Sequence, residues 1–171
     1  ALTAAFAAGA FLSSLFSGRI GRYRAHGLGI ERAILVYGVA ILAFGAVLLA
    51  ASFGVGAAGG VSETSPNIAL IVLAVLVLAV AGGADNVSAI YRSTMMQSAV
   101  PDSIRGRLQG IFIVVVAGGP RVGALYAGTL ATFTTLWFPP LLGGLLILAI
   151  VTTLVRLSPG FRAYDADNPV P

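Results

Sequence analysis

The chain has no cysteine and no lysine, a single histidine and a single tryptophan, and charged residues at only 9% of its 171 positions. Each scarcity closes off a class of chemistry. Without cysteine there is no disulfide framework, no thiolate metal site and no cysteine nucleophile. The lone histidine, His26, stands among arginines with no clustered carboxylates around it, so a metal site is not expected. Ser13 and Ser14 have no base beside them, and no phosphate-cradling GxxxxGKS or GxxxxGKT loop occurs. An enzyme is therefore not expected, and no cofactor is implied. The shortage of charge is itself informative, because soluble domains carry roughly a quarter charged residues.

What is present is apolar: 58% of the residues are hydrophobic and the mean hydropathy is +0.98. Such a chain belongs in a lipid bilayer, where about 20 apolar residues make one helical span. Five apolar segments stand out, near residues 1–17, 33–54, 67–97, 108–136 and 140–157. Unbroken runs of this length exclude a β-barrel, whose strands alternate over about ten residues. The fold class expected is an all-α integral membrane protein with five transmembrane helices over residues 1–158, followed by a tail over 159–171.

The connections carry the orientation. Arg19, Arg22, Arg24 and Arg32 cluster after the first segment, Arg105 and Arg107 after the third, and Arg156 and Arg162 around the end of the fifth. The stretches 55–66 and 137–140 have no basic residue. Basic and non-basic connections thus alternate, and the positive-inside rule puts the arginine-bearing ones and the C-terminus in the cytoplasm. The net charge of +4 is accordingly a topology signal, and nucleic-acid binding is not expected. Residue 1 is then outside, and the first segment, about 24 Å as a helix, is short for a core about 30 Å thick. With no initial Met, the N-terminus reads as cut, and a signal peptide is disfavoured because the charges follow the apolar run. Ser65 before Pro66 is an expected helix cap, Pro101-Asp102 and Pro139-Pro140 open the fourth and fifth segments, and Pro159-Gly160 closes the last.

Against this background, "DNVSAIYRSTMMQSAVPDSIRGR" (85–107) is conspicuous for its charges. On a helix Asp85, Ser88 and Arg92 share one face, with Asn86 beside it. Measured from the helix end near Ser98, Arg92 lies about 9 Å deep and Asp85 about 20 Å, while Arg121 on the next helix lies about 21 Å deep. An unpaired charge at such depth costs on the order of 3 kcal/mol, so Asp85 and Arg121 are expected to face the protein interior, as a pair or as separate cavity-lining groups. The alternatives are an inert ion pair tying two helices together and a substrate or ion path formed by Asp85, Asn86, Ser88 and Arg121. Arg92 is shallow enough to snorkel or to hold neighbouring carbonyls. Arg105 and Arg107 need only be anchors, and Asp102 suits a helix N-terminus. Gly119 and Gly123 form a GxxxG that predicts close helix packing, with a hinge or bend at Pro120. Gly38 and Gly45 mark a second packing face, and Gln97 is a further packing or gate candidate.

The same stretch resembles the signature of major facilitator superfamily exporters of the enterobactin-exporter and macrolide-efflux type, whose tenth helix and following loop carry A-D-x-x-S-x-x-x-R-x-T-x-x-Q and P-D-x-x-R-G-R. Asp85, Ser88, Arg92, Thr94, Gln97, Pro101, Asp102, Arg105, Gly106 and Arg107 occupy those places. "SGRIGRYR" is similar to the superfamily's G-x-x-x-x-D-R-x-G-R loop at Arg19, Gly21 and Arg22, with Gly18 where the acidic residue would stand. The resemblance implies that the segments are helices eight to twelve of a twelve-helix transporter, lacking the first helix of its C-terminal half. It further implies a secondary exporter of small amphiphilic molecules in a bacterial inner membrane, working by alternating access with proton antiport. Its partners would be the lipid bilayer, a small-molecule substrate, protons and the missing N-terminal helices. The alternative function is a non-transporting membrane scaffold or partner subunit built on the same bundle.

Overall fold

The computed structural model describes residues 2–20, 26–54 and 67–158. Among them every regular element is a helix: α1 (Leu2–Ser14), α2 (Ser17–Ile20), α3 (His26–Ser52), α4 (Ile68–Ala99), α5 (Asp102–Phe133) and α6 (Phe138–Leu157). Helices α3, α4, α5 and α6 are long and apolar enough to cross a membrane. Helices suit lipid because each satisfies its backbone hydrogen bonds internally. The first expected span is shorter than the others: α1 has 13 residues and reaches about 20 Å.

Several boundaries move from their expected places. Helix α3 begins at His26, seven residues before the apolar run, because His26, Gly27, Ile30 and Glu31 are buried against neighbouring helices and the first two turns are packed. The N-cap of α4 is Asn67, whose Oδ1 accepts from the Leu70 N–H at 3.3 Å. The expected cap, Ser65, lies outside the described residues, as do Pro159-Gly160 and the tail. Pro101 does open α5, with Asp102 in the first turn, and Pro139-Pro140 open α6. Helix α5 continues through Pro120, which has no N–H to offer the Val116 carbonyl one turn earlier.

The helices stand in a spatial order that differs from the chain order: α1, α4, α3, α6, α5. Glycines set the two closest approaches. A Cβ on Gly9 would overlap the Ala79 carbonyl, and one on Gly82 would overlap the Phe6 carbonyl, so α1 and α4 meet backbone to backbone. This contact was not singled out from the sequence, where Gly82-Gly83 is one glycine pair among 22 glycines. Between α3 and α6, a Cβ on Gly38 would come within 2.9 Å of Leu148, and one on Gly45 within 2.8 Å of Leu141. The expected packing face of α3 is therefore occupied, and its partner is α6.

Helix α5 differs from the rest. It touches mainly α6, and none of its residues is buried. Around Gly118, Gly119, Gly123 and Gly128 there is open space where a side chain would project. The expectation of close helix packing at GxxxG is corrected: within the described residues no helix lies against it. Small residues permit a close approach, but the neighbour that makes the approach is a property of the tertiary arrangement.

A candidate cleft around Asp85

Asp85 lies near the middle of α4, about 21 Å from the end at Ala99. Its carboxylate opens into a cleft of about 930 Å³ bounded by α1, α3, α4, α5 and α6. Phe6, Tyr37, Phe44 and Tyr126 give the walls aromatic surface, while Gly119, Pro120 and Gly123 form the α5 side. Asp85 is the one charged residue among those that line it. The volume falls within the range typical of small-molecule sites, about 300–1,000 Å³, as does the mixture of apolar walls and few polar groups. The Asp85 side chain is itself 51% exposed, and a single carboxylate in an open, apolar-walled cleft can attract a cation, accept a hydrogen bond or bind a proton.

The cation nearest Asp85 is Arg92, on its own helix: Arg92 Nη2 stands 3.7 Å from Asp85 Oδ1. That separation is an ion pair but too long for a hydrogen bond. Arg92 also donates through Nε to the Ser88 carbonyl at 3.3 Å, so the guanidinium bridges two successive turns of α4. The reading of Arg92 as a group holding neighbouring carbonyls matches this geometry.

Arg121 takes no part. It is exposed, is absent from the cleft lining, and has no ion pair among the described residues. Taking 100° per residue, it points about 150° away from the α5 face formed by Gly119, Pro120, Gly123 and Tyr126. The expectation that Arg121 and Asp85 come together is corrected: among the described residues Arg121 neither pairs with Asp85 nor lines its cleft. Equal distance along two helices says nothing about azimuth, and azimuth decides whether two side chains meet.

The other predicted site residues divide by direction. Asn86 turns to α1, where its Nδ2 donates to Ser13 Oγ at 2.8 Å and to the Ala10 carbonyl at 3.2 Å. It is a polar fastener between two helices that already touch through Gly9 and Gly82. Ser88 is enclosed, 1% exposed, and its hydroxyl has no hydrogen-bond partner among the described residues. Of the four residues proposed for a path, only Asp85 lines the cleft. Gln97 is exposed, and its backbone carbonyl accepts from Arg105.

Arg105 carries more structure than an anchor needs. Its Nη2 donates to the carbonyls of Gln97 and Val100 at 3.3 and 3.0 Å, and its Nη1 pairs with Asp102. It thereby supplies donors at the end of α4, where helix carbonyls lack intrahelical partners, and fixes the turn into α5. Arg107 is exposed and makes no such bond among the described residues. Arg19 lies in α2, and the predicted loop residues Gly21 and Arg22 fall outside the described residues.

The sequence reading missed the aromatic residues of the cleft. Tyr37 and Tyr126 were detectable as hydroxyl-bearing side chains in the middle of aliphatic spans, but nothing in their spacing ties them to Asp85. Compared with protein-family models, curated proteins and solved structures, the chain matches none.

Proposed function

We propose that this chain forms part of a secondary transporter, an exporter of small amphiphilic molecules that works by alternating access with proton antiport. The observation that carries the reading is the placement of one carboxylate, Asp85, at mid-helix in an apolar and aromatic cleft of about 930 Å³. A charge at that depth is costly unless it has a partner or water, and polar groups there commonly serve substrates or protons. The resemblance of residues 85–107 to major facilitator exporters supports the same reading and assigns the helices to a major-facilitator-type bundle. Under it, the open face of α5 receives further helices of the same transporter. The arginine-bearing end and the C-terminus face the cytoplasm of a bacterial cell.

Two observations favour the second reading, a non-transporting scaffold or partner subunit. Asp85 already has a cation at 3.7 Å, and Asn86 serves helix packing. Replacing Asp85 by Asn in the intact protein and following pH-gradient-driven efflux from vesicles separates the two. The transporter reading expects efflux to collapse while insertion and folding stay normal. Unchanged efflux, or no efflux by the unmodified protein for any amphiphile tried, favours the scaffold.

A further inference from the structure

A second apolar surface lies away from the Asp85 cleft, along the seam between α3 and α4. Two adjoining cavities, about 490 and 450 Å³, share Val36 and Val80 and so form one groove. On α3 it runs from Gly29 to Ala43, and on the antiparallel α4 from Tyr91 to Leu76. These spans correspond to about 21 Å, enough to cross the roughly 15 Å hydrocarbon depth of one leaflet. Its walls are open: Val36, Val39, Leu76 and Val80 are all about half exposed.

The groove is polar at one end only. Arg32 lines the Gly29–Tyr91 end, is exposed, and has no ion-pair partner among the described residues. Everything beyond Val36 is aliphatic. Arg92, Arg105, Arg107 and Arg156 lie toward the same end of the bundle, against Glu31 and Asp102, so the surrounding charge is positive. An aliphatic channel one leaflet deep that ends on an unpaired guanidinium matches a molecule with a long alkyl chain and an anionic head. A guanidinium binds phosphate through parallel N–H···O bonds. Basic groups between membrane helices are a recurrent means of holding acidic lipid headgroups.

We infer that the α3–α4 groove is a binding site for an anionic phospholipid, with one acyl chain along Val36–Ala43 and Leu76–Val80 and the phosphate on Arg32. The site needs only that the chain reside in a membrane, and it stands whether or not the Asp85 cleft transports anything. Zwitterionic lipids bring the same chains and phosphate but also a cation, which Arg32 and its basic surroundings oppose.

The test uses the intact protein in phosphatidylcholine nanodiscs doped with a phosphatidylglycerol that carries a photoactivatable diazirine midway along one acyl chain. Cross-linked peptides are mapped by mass spectrometry. Adducts are expected in 36–43 and 76–80, competed by unlabelled phosphatidylglycerol, with at least fivefold less labelling by the same probe bearing a choline head. Arg32→Gln should cut labelling about fivefold, Arg32→Lys should retain most of it, and Arg156→Gln should leave it unchanged. Equal labelling by the two headgroups overturns the inference, as do adducts spread evenly around the bundle, adducts absent from the groove because another helix fills it, or Arg32→Gln labelling like the parent. The headgroup comparison needs no variant and remains decisive if Arg32→Gln does not fold.

Discussion

Arg92 Nη2 lies 3.7 Å from Asp85 Oδ1, two helical turns away on the same face of α4, and the same guanidinium donates to the Ser88 carbonyl between them. The charge pair is thus built within one helix and does not depend on a neighbour. Removing the cation alone leaves an unpaired carboxylate in the middle of a long apolar helix. Arg92→Gln should destabilise the fold by about 1–3 kcal/mol in unfolding titrations, and adding Asp85→Asn should recover most of that loss. If the two effects simply add, the pair has no energetic coupling and Asp85 is satisfied by water in the cleft.

Gly9 and Gly82 should be intolerant of any side chain, because a Cβ at either position overlaps a backbone carbonyl of the facing helix. Backbone cannot move aside as a side chain can. Gly82→Ala is expected to lower the thermal midpoint by several degrees or prevent monodisperse purification, whereas Gly123→Ala, with open space around it, should be neutral or add up to about 1 kcal/mol through helix propensity. Paired thermal scans on the two variants provide the check. The reverse ranking would place the close contact on α5.

Asn86 and Ser13 should behave as one unit. Interhelical hydrogen bonds in membranes contribute about 0.6 kcal/mol on average and up to about 1.7. Asn86→Ala is expected near the upper end, since it loses both the Ser13 hydroxyl and the Ala10 carbonyl. A double-mutant cycle with Ser13→Ala should give a coupling of about 0.5–1 kcal/mol. A coupling of zero would mean that the Ala10 carbonyl alone holds Asn86.

Arg105 and Arg107 are expected to separate cleanly in hydrogen exchange, although they are two residues apart in one basic turn. Arg105→Ala removes the donors from the Gln97 and Val100 carbonyls and the partner of Asp102, so amides around 98–104 should exchange faster. Arg107→Ala should leave them unchanged. Equal acceleration by both variants would show that general positive charge, and not the clamp, steadies the turn.

Much of the architecture was legible in the sequence because bilayer physics acts on contiguous stretches. Unbroken apolar runs, Pro101 and Pro139-Pro140 at helix starts, and the mid-helix position of Asp85 all follow from one-dimensional rules of length, propensity and rise. The hold of Arg92 on a neighbouring carbonyl was also legible, because Ser88 is one turn away on its own helix; its ion pair with Asp85 was not, although the shared face was.

The relationships between helices were not legible. That Gly9 meets Ala79, that Gly38 meets Leu148 while Gly119 and Gly123 meet nothing among the described residues, that Asn86 turns to α1, and that Arg121 turns away from Asp85 all depend on rotation about helix axes. In lipid no contrast between water and core marks the inward face, since apolar side chains suit both the protein interior and the acyl chains. By itself, then, the sequence determined the helices, their approximate lengths and the position of each charge along them, because these are set residue by residue by apolar length and helix rise. Which faces meet, and hence that Asp85 opens into an aromatic cleft while Arg32 closes an aliphatic groove, was decided only by tertiary packing, where side-chain shape and backbone approach choose each helix's rotation.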